Sequence, residues 1–465
     1  MLYFKLFRET LTEAQFNRFG DLKATVAANW SPLLRPALEA PAAILGLSAD
    51  ALRQGEELLK GPINRGRFAV DGEIFTDARS LVVLFVRWSD QQVRRGRPHV
   101  ITGDVEYSLN VAYIGGDLTA PILDSVVSAT NTTLAISLQP YTYTSRRFDE
   151  LKSEGRESPS QPTEDKLIAS RALQDRAVRT LAVAIKASGG LLVRDLPKQL
   201  PTESRANIGE LISALKNARL VESEIVIVCT KTQAQIARSP TRDIFPQVSA
   251  MGVRCACGRA LVEEQTEEAL SITDLGRGLL DKSRWLTVLV VDELSVVGVS
   301  GDSVLVEQQV GGDEIDCVAN ISGDLALFEL KDKEFNLGNA YSFGAKIGII
   351  RPKHPVVVST EHVGNDAKEH FVRARLAGAS SRETGFYPNV ADLEEDRSEI
   401  AYIEGVNNLH AGIERLVSSI YRNDAKMILN QVLPLASVDA GSLVQALEVE
   451  TRRNTFTERL RASAS

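Results

Sequence analysis

Cysteine and histidine are scarce. Four cysteines in 465 residues do not make a disulfide framework, so a reducing cytoplasm is the expected setting. The histidines, His99, His354, His362, His370 and His410, show no metal-ligand spacing. No stretch approaches the roughly 18–20 consecutive apolar residues of a membrane span. The opening MLYFKLFRET is interrupted by Lys5 and Arg8 and no cleavage site follows, so no signal peptide and no membrane partner are expected. No Gly-x4-Gly-Lys-Ser/Thr loop occurs, which argues against a chain that powers translocation by itself, and IGGDLTAP lacks the dinucleotide-binding spacing. An excess of positive charge is also missing. The formal charge of −8 excludes a general cationic coat but leaves room for a local basic groove.

The composition, 44% hydrophobic and 25% charged, is that of a globular chain, and 465 residues exceed one ordinary core. The pattern predicts an α/β multidomain protein. Residues 1–150 read as a mixed α/β domain of unassigned role, with a helix in ALRQGEELLK and buried strands in SLVVLFVRW and EYSLNVAYI. Between those strands Arg87, Arg94, Arg95 and Arg97 make a basic turn, read first as a solvated loop and second as a phosphate contact. LKSEGRESPSQPTED, residues 151–165, has the Ser, Pro, Glu and Gly content of a linker.

Residues 166–245 change to short helices and a hairpin. DRAVRTLAVAIKASGG has helical spacing and a Gly189-Gly190 stop, and LLVRDLPKQLP gives a short second helix. A third is expected from Thr202 as N-cap, with Ile208, Leu211, Ile212 and Leu215 on one face. ESEIVIVCTKTQAQIA follows as two strands. This order resembles a winged helix-turn-helix domain. The resemblance implies duplex DNA as partner, with Ser204, Arg205 and Asn207 as readers in the major groove; a protein-contact role is the alternative. In residues 246–275, RCACGRALVEEQ resembles a zinc ribbon that has lost a knuckle. Cys255 and Cys257 supply two ligands, Cys229 is a third candidate, and no fourth cysteine or histidine lies nearby. Two buried thiols in a small hairpin, without zinc, is therefore the expectation.

The densest chemistry lies in GGDEIDCVANISGDLALFELKDKEF, residues 311–335. With the turn centred between Ser322 and Gly323, Asp316 falls opposite Glu329, Glu314 opposite Lys331, and Cys317 opposite Phe328. Cross-strand partners share a face, so Asp316, Glu329, Lys331 and Glu314 gather at one end of the hairpin. Two adjacent carboxylates repel and lose hydration when buried; a divalent cation relieves both costs. The bland alternative is a surface hairpin with a Glu314–Lys331 ion pair, worth about 0–1 kcal/mol.

The spacing Asp316-x12-Glu329-x-Lys331, set in an expected αβββαβ order from 283 to 360, resembles the PD-(D/E)XK, or restriction-endonuclease-like, nuclease superfamily. The strand carries Glu-Ile-Asp in place of the family's Pro-Asp pair. The resemblance covers roughly 280–425 and implies a C-terminal nuclease domain, assigned here to residues 276–465. It implies Asp316 and Glu329 as ligands of Mg²⁺ or Mn²⁺, Lys331 as catalytic lysine, and Glu293 as an added acid from the first helix. It also points to phosphate contacts from the next helix, with Lys346 the candidate beside Tyr341, although a surface position flanking the core is the plainer reading of both. The implied function is a metal-dependent nuclease acting on DNA, by analogy in prokaryotic restriction or anti-phage defence, with partner proteins or a homodimer. The alternative is a non-catalytic DNA-binding regulator or assembly subunit.

Overall fold

The computed structural model describes residues 1–33, 68–77, 79–89, 106–154, 161–310, 312–382, 400–432 and 440–462. The expected helix in 51–60 and the arginines 94, 95 and 97 lie outside these residues. Among the described residues no helix is long and apolar enough to cross a membrane. The chain is mixed α/β, and the described residues form three sheets. It divides into two compact units, Met1–Thr144 with Glu414–Ser465, and Ser145–Ile413. These limits cut the chain differently from the boundaries at 150 and 276 drawn on the sequence.

The first unit is built on one antiparallel sheet of β1 (Tyr3–Leu11), β2 (Ser31–Pro32), β3 (Phe68–Thr76), β4 (Ser80–Ser89) and β5 (Tyr107–Gly115), in the order β1-β5-β4-β3-β2. β4 lies between two long partners, and every residue from Leu81 to Val86 is buried. A strand covered on both faces carries a continuous apolar run, which explains SLVVLFV. Helices Phe19–Ala27 and Pro121–Leu134 pack on the sheet through Leu22, Val26, Ile122 and Val126. Arg87 belongs to β4 itself and not to a loop.

In the second unit a four-stranded antiparallel sheet has the order β6-β9-β7-β8, from β6 (Leu191–Leu192), β7 (Val221–Val228), β8 (Gln235–Ser239) and β9 (Gln265–Ile272). Helix Arg176–Ser188 starts where the Asp175 carboxylate accepts the N–H groups of Ala177 and Val178, and ends at Gly189 with φ +65°. That is the glycine stop expected from the sequence. The helix Ile208–Asn217 begins later than Thr202. Thr202–Asn207 is a 3-10 turn after Pro201 with no buried residue, so nothing anchors an apolar stripe there, and no side chain caps Ile208–Asn217. β9, not expected as a strand, lies between β6 and β7.

The larger sheet has the order β10-β11-β12-β13-β14, from β10 (Val304–Val310), β11 (Asp313–Ile321), β12 (Asp324–Lys331), β13 (His354–Ser359) and β14 (Ala401–Glu404). β10, β11 and β12 are antiparallel; β12, β13 and β14 are parallel. Helix Arg284–Val296 precedes β10, and helix Leu337–Ile350 is the crossover that the parallel β12–β13 pair requires. The hairpin turns at Ser322 and Gly323, with φ of +53° and +89°, the left-handed pair of a tight two-residue turn. Its register is Cys317↔Phe328, Ala319↔Ala326 and Ile321↔Asp324. Phe335, Phe343 and Phe371 close the core against Leu327 and Val357.

Phe328 is fully buried at the centre of this sheet. Phe328→Ala should cost about 3–5 kcal/mol, read as a lowered urea midpoint for the transition of the second unit. A change below about 1 kcal/mol would show that this packing does not hold the hairpin.

Candidate acid–lysine cleft

The β11–β12 ladder ends at Cys317↔Phe328, one step short of Asp316 and Glu329. Asp316 takes up the next backbone group with its side chain: the Leu330 N–H donates to Asp316 Oδ2 at 2.8 Å. On the other edge of β11 the β10 ladder passes from Val306↔Cys317 to Gln308↔Ile315, skipping the position where Glu307 faces Asp316. Glu307 has φ +51°. Three acids, Glu307, Asp316 and Glu329, thus lie in a row across three strands, and the backbone pairing is broken at the middle one.

Asp316, Lys331, Lys346, Glu307, Glu314, Lys282, Ser283 and Thr287 line a cleft of about 320 Å³. Lys282 and Ser283 carry φ of +50° and +59° where the chain enters the helix Arg284–Val296. Three non-glycine residues in left-handed backbone therefore share one cleft. Such conformations cost of order 1–3 kcal/mol each and concentrate at functional sites. A more apolar cavity of about 290 Å³, lined in part by Leu279, Val288 and Val291, shares Thr287 and Glu307 with the cleft.

Glu329 is 1% exposed and meets two ammonium groups: Oε1 lies 2.8 Å from Lys331 Nζ and Oε2 lies 2.7 Å from Lys346 Nζ. The outer acids are paired as well, Glu314 with Lys282 at 2.6 Å and Glu307 with Arg284 at 2.8 Å. The Glu314–Lys331 pair considered on the sequence is replaced by these contacts. Asp316 has no such lysine of its own. Burial and the neighbouring Glu329 carboxylate push its acid up from 3.8 to about 6. Burial pulls the Lys331 ammonium down, but Glu329 and Asp316 outweigh it and the net shift is upward, so Lys331 holds its proton at neutral pH. The donor set suits a hard divalent ion. It offers carboxylate oxygens, an Asp316 carboxyl with no ion pair of its own, and no soft ligand lining the cleft.

Asp316, Glu329 and Lys331 are therefore brought together. Lys346 joins them, but as a buried partner of Glu329 and not as a surface residue. Glu293 does not join: its carboxylate lies 2.7 Å from His410 Nδ1 and does not line the cleft. The first-helix residue that does reach the cleft is Thr287. Tyr341 is exposed and packs at a tilt against the His370 ring. Ser204, Arg205 and Asn207 fall in the 3-10 turn; Arg205 and Asn207 are exposed, and the Arg205 Nε–H donates to the Leu200 carbonyl. Cys255 and Cys257 do meet Cys229, together with Glu264.

One positioning group escaped the sequence reading. Asp332, directly after Lys331, receives the Trp285 Nε1–H at 3.1 Å and lies 2.9 Å from Arg179 Nε, and the Arg179 guanidinium lies over the Trp285 ring. Burial holds the Asp332 acid above its usual range despite Arg179. The strand end that carries Lys331 is thereby tied to helix Arg176–Ser188. An Asp in a run reading KDKE gives no sign of this, because its partner lies far upstream in the chain.

No family profile and no curated protein matches the chain. Among solved structures, protein VC1899 from Vibrio cholerae aligns over 60% of this chain and 57% of its own, at 14% identity and a TM-score of 0.28.

The raised Asp316 acid has a consequence for stability. The folded protein binds this proton more tightly than the unfolded chain does. The penalty is absent below about pH 4, where both states are protonated, grows as pH rises through 6, and is complete above it. In metal-free buffer at pH 7, Asp316→Asn should stabilise the second unit by on the order of 2–3 kcal/mol, an advantage that shrinks toward pH 4. A variant that melts at or below the wild-type temperature at pH 7 would contradict the assignment.

Proposed function

We propose that the chain is a metal-dependent nuclease whose reaction centre is the cleft at Asp316, Glu329 and Lys331. The observation that carries this reading is the convergence of a proton-retaining lysine, the buried Glu329 and the half-buried Asp316 at one end of the hairpin, beside strained backbone in a cleft. A Mg²⁺ or Mn²⁺ ion bound there would neutralise phosphate charge and acidify a water. Asp316 and Glu329 are the residues that would hold it.

The chain's own groups supply the rest. Lys331, kept cationic by Glu329 and Asp316, can donate to a phosphate oxygen as charge builds on it, or orient an attacking water. Lys346 fixes the second Glu329 oxygen from the opposite side, so the carboxylate is held in place before substrate arrives. The arrangement αβββαβ agrees with a PD-(D/E)XK core in element order. The helices and hairpin of 164–239 agree with a winged helix-turn-helix in the same sense, which favours duplex DNA as substrate. Arg205 and Asn207 are exposed in the 3-10 turn that leads into its third helix.

A non-catalytic, nucleic-acid-gripping role is the second reading. One observation favours it: Glu329 already has both oxygens satisfied by lysines, so a cation is not needed to balance it.

The two readings separate in a cleavage assay with labelled duplex, single-stranded DNA and RNA, in Mg²⁺ or Mn²⁺. Lys331→Ala and Asp316→Asn should each lower the cleavage rate about a hundredfold or more, while duplex binding in chelator is retained. Cleavage that survives both substitutions, or metal-independent binding without any cleavage, would set the nuclease reading aside. Arg205→Ala combined with Asn207→Ala should weaken duplex binding by about 1–3 kcal/mol, measured by fluorescence anisotropy; unchanged binding would remove the 3-10 turn from the interface.

A further inference from the structure

Far from the acidic cleft in sequence, the second unit holds another cluster that the nuclease reading does not use. Cys229 ends the strand run of β7 and opens the turn into β8. Its N–H donates to the Ala234 carbonyl, and the Gln233 N–H returns to the Cys229 carbonyl. Cys255 and Cys257 lie in a tight Cys-Ala-Cys-Gly turn in which the Gly258 N–H reaches the Cys255 carbonyl and Gly258 takes φ +93°. Glu264 follows a single 3-10 turn and immediately precedes β9, whose first residue pairs with Val228. Three separate turns of chain thereby deliver three sulfurs and one carboxylate oxygen to one point, all within 4.8 Å of one another.

The spacing suits a tetrahedral ion. Zn²⁺ bound at about 2.3 Å to sulfur sets ligand-to-ligand edges of roughly 3.8 Å, so a small contraction of this cluster closes it. Backbone donors point at two of the sulfurs. The Thr232 N–H points at Cys229 Sγ at 3.4 Å and the Cys257 N–H at Cys255 Sγ at 3.5 Å, donors that favour thiolate over thiol. Glu264 is buried, and among the described residues no lysine, arginine or histidine pairs with it. Its Oε2 is fixed by the N–H and hydroxyl of Thr230, which leaves Oε1, 3.0 Å from Cys257 Sγ, for an ion.

The Cys257 thiol donates to Glu264 Oε1, so a cation bound there would replace the thiol proton and keep the carboxylate paired. Packing gives an independent reason. Between residues 240 and 264 only Phe245, Cys255, Leu261 and Glu264 are buried, so the segment has almost no core of its own, and two of those four belong to the cluster. Segments of this kind are held by a metal or a disulfide.

We infer that Cys229, Cys255, Cys257 and Glu264 form a structural zinc site that staples residues 240–264 to the β7–β9 sheet. The donor set is closed and four-fold, three soft sulfurs and one carboxylate oxygen, which selects Zn²⁺ over Mg²⁺ and leaves no open position for catalysis. A fourth ligand was missed on the sequence because only cysteine and histidine were sought, while the chain supplies a glutamate.

The test uses the full chain, purified without chelator from zinc-supplemented culture. Elemental analysis should find about one zinc per chain. After zinc removal, titration with Co²⁺ should give the visible bands of a tetrahedral site and a near-ultraviolet thiolate-to-cobalt band. Chelation of the metal should lower the melting temperature by roughly 5 °C or more. Thr230→Val should weaken zinc retention about ten- to hundredfold, while Asp316→Asn should leave zinc content unchanged, so the outcome is independent of the nuclease reading. Protein that purifies zinc-free and gives no cobalt bands overturns the site, whether its thiols prove free or two of them prove joined in a disulfide. The wild-type cobalt spectrum decides the matter even if Cys257→Ser and Glu264→Gln fail to fold.

Discussion

Two carboxylates placed side by side at the buried end of a sheet set the terms for everything around them. Glu329 is fully enclosed, and Asp316 is adjacent and largely buried. Neither can remain charged in low dielectric without nearby positive charge. The protein meets this demand unevenly. Glu329 receives two ammonium groups, one from its own strand and one from the helix Leu337–Ile350. Asp316 receives a backbone N–H and remains an acid near pH 6. In the proposed function that imbalance is what a divalent ion would relieve.

The surrounding architecture follows from the same demand. The hairpin stops its ladder at Cys317, so that Asp316 can turn its side chain back to Leu330, and β10 interrupts its own pairing at Glu307. Left-handed backbone at Lys282, Ser283 and Glu307 then brings the opposite wall of the cleft close. Residues one position away are pinned hard: Asp332 is gripped by Trp285 and Arg179, which anchors the end of β12 to the helical part of the same unit. A strained lining on a rigid frame is the pattern of a site in which geometry matters more than local stability.

Much of this was legible in the sequence because it depends on short-range rules. The hairpin register follows from a Ser-Gly turn and two-residue periodicity, and the structure pairs Cys317 with Phe328 as expected. The helix ending at Gly189 and the crossover helix 337–350 rest on equally local signals. What escaped depends on chain segments far apart. Lys346 looked like a surface residue until the crossover helix folded it over Glu329. Glu293 looked like a third acid, but the rotation of its helix turns it to His410. Glu264 completes a cysteine cluster only because β9 runs beside β7, and β9 itself reads as a polar stretch, QTEEALSI. Thr202 had the chemistry of a cap, but Pro201 and the lack of an apolar anchor keep the following turn in 3-10 geometry.

The account stands or falls on whether the two acids share a cation. Diffraction from crystals soaked in Mn²⁺, recorded for its anomalous signal, addresses this directly. The account predicts a single strong peak within coordinating distance of both Asp316 and Glu329, with at least one lysine released from Glu329. Crystals that show no peak in the cleft, with Lys331 and Lys346 still holding both Glu329 oxygens, would contradict it.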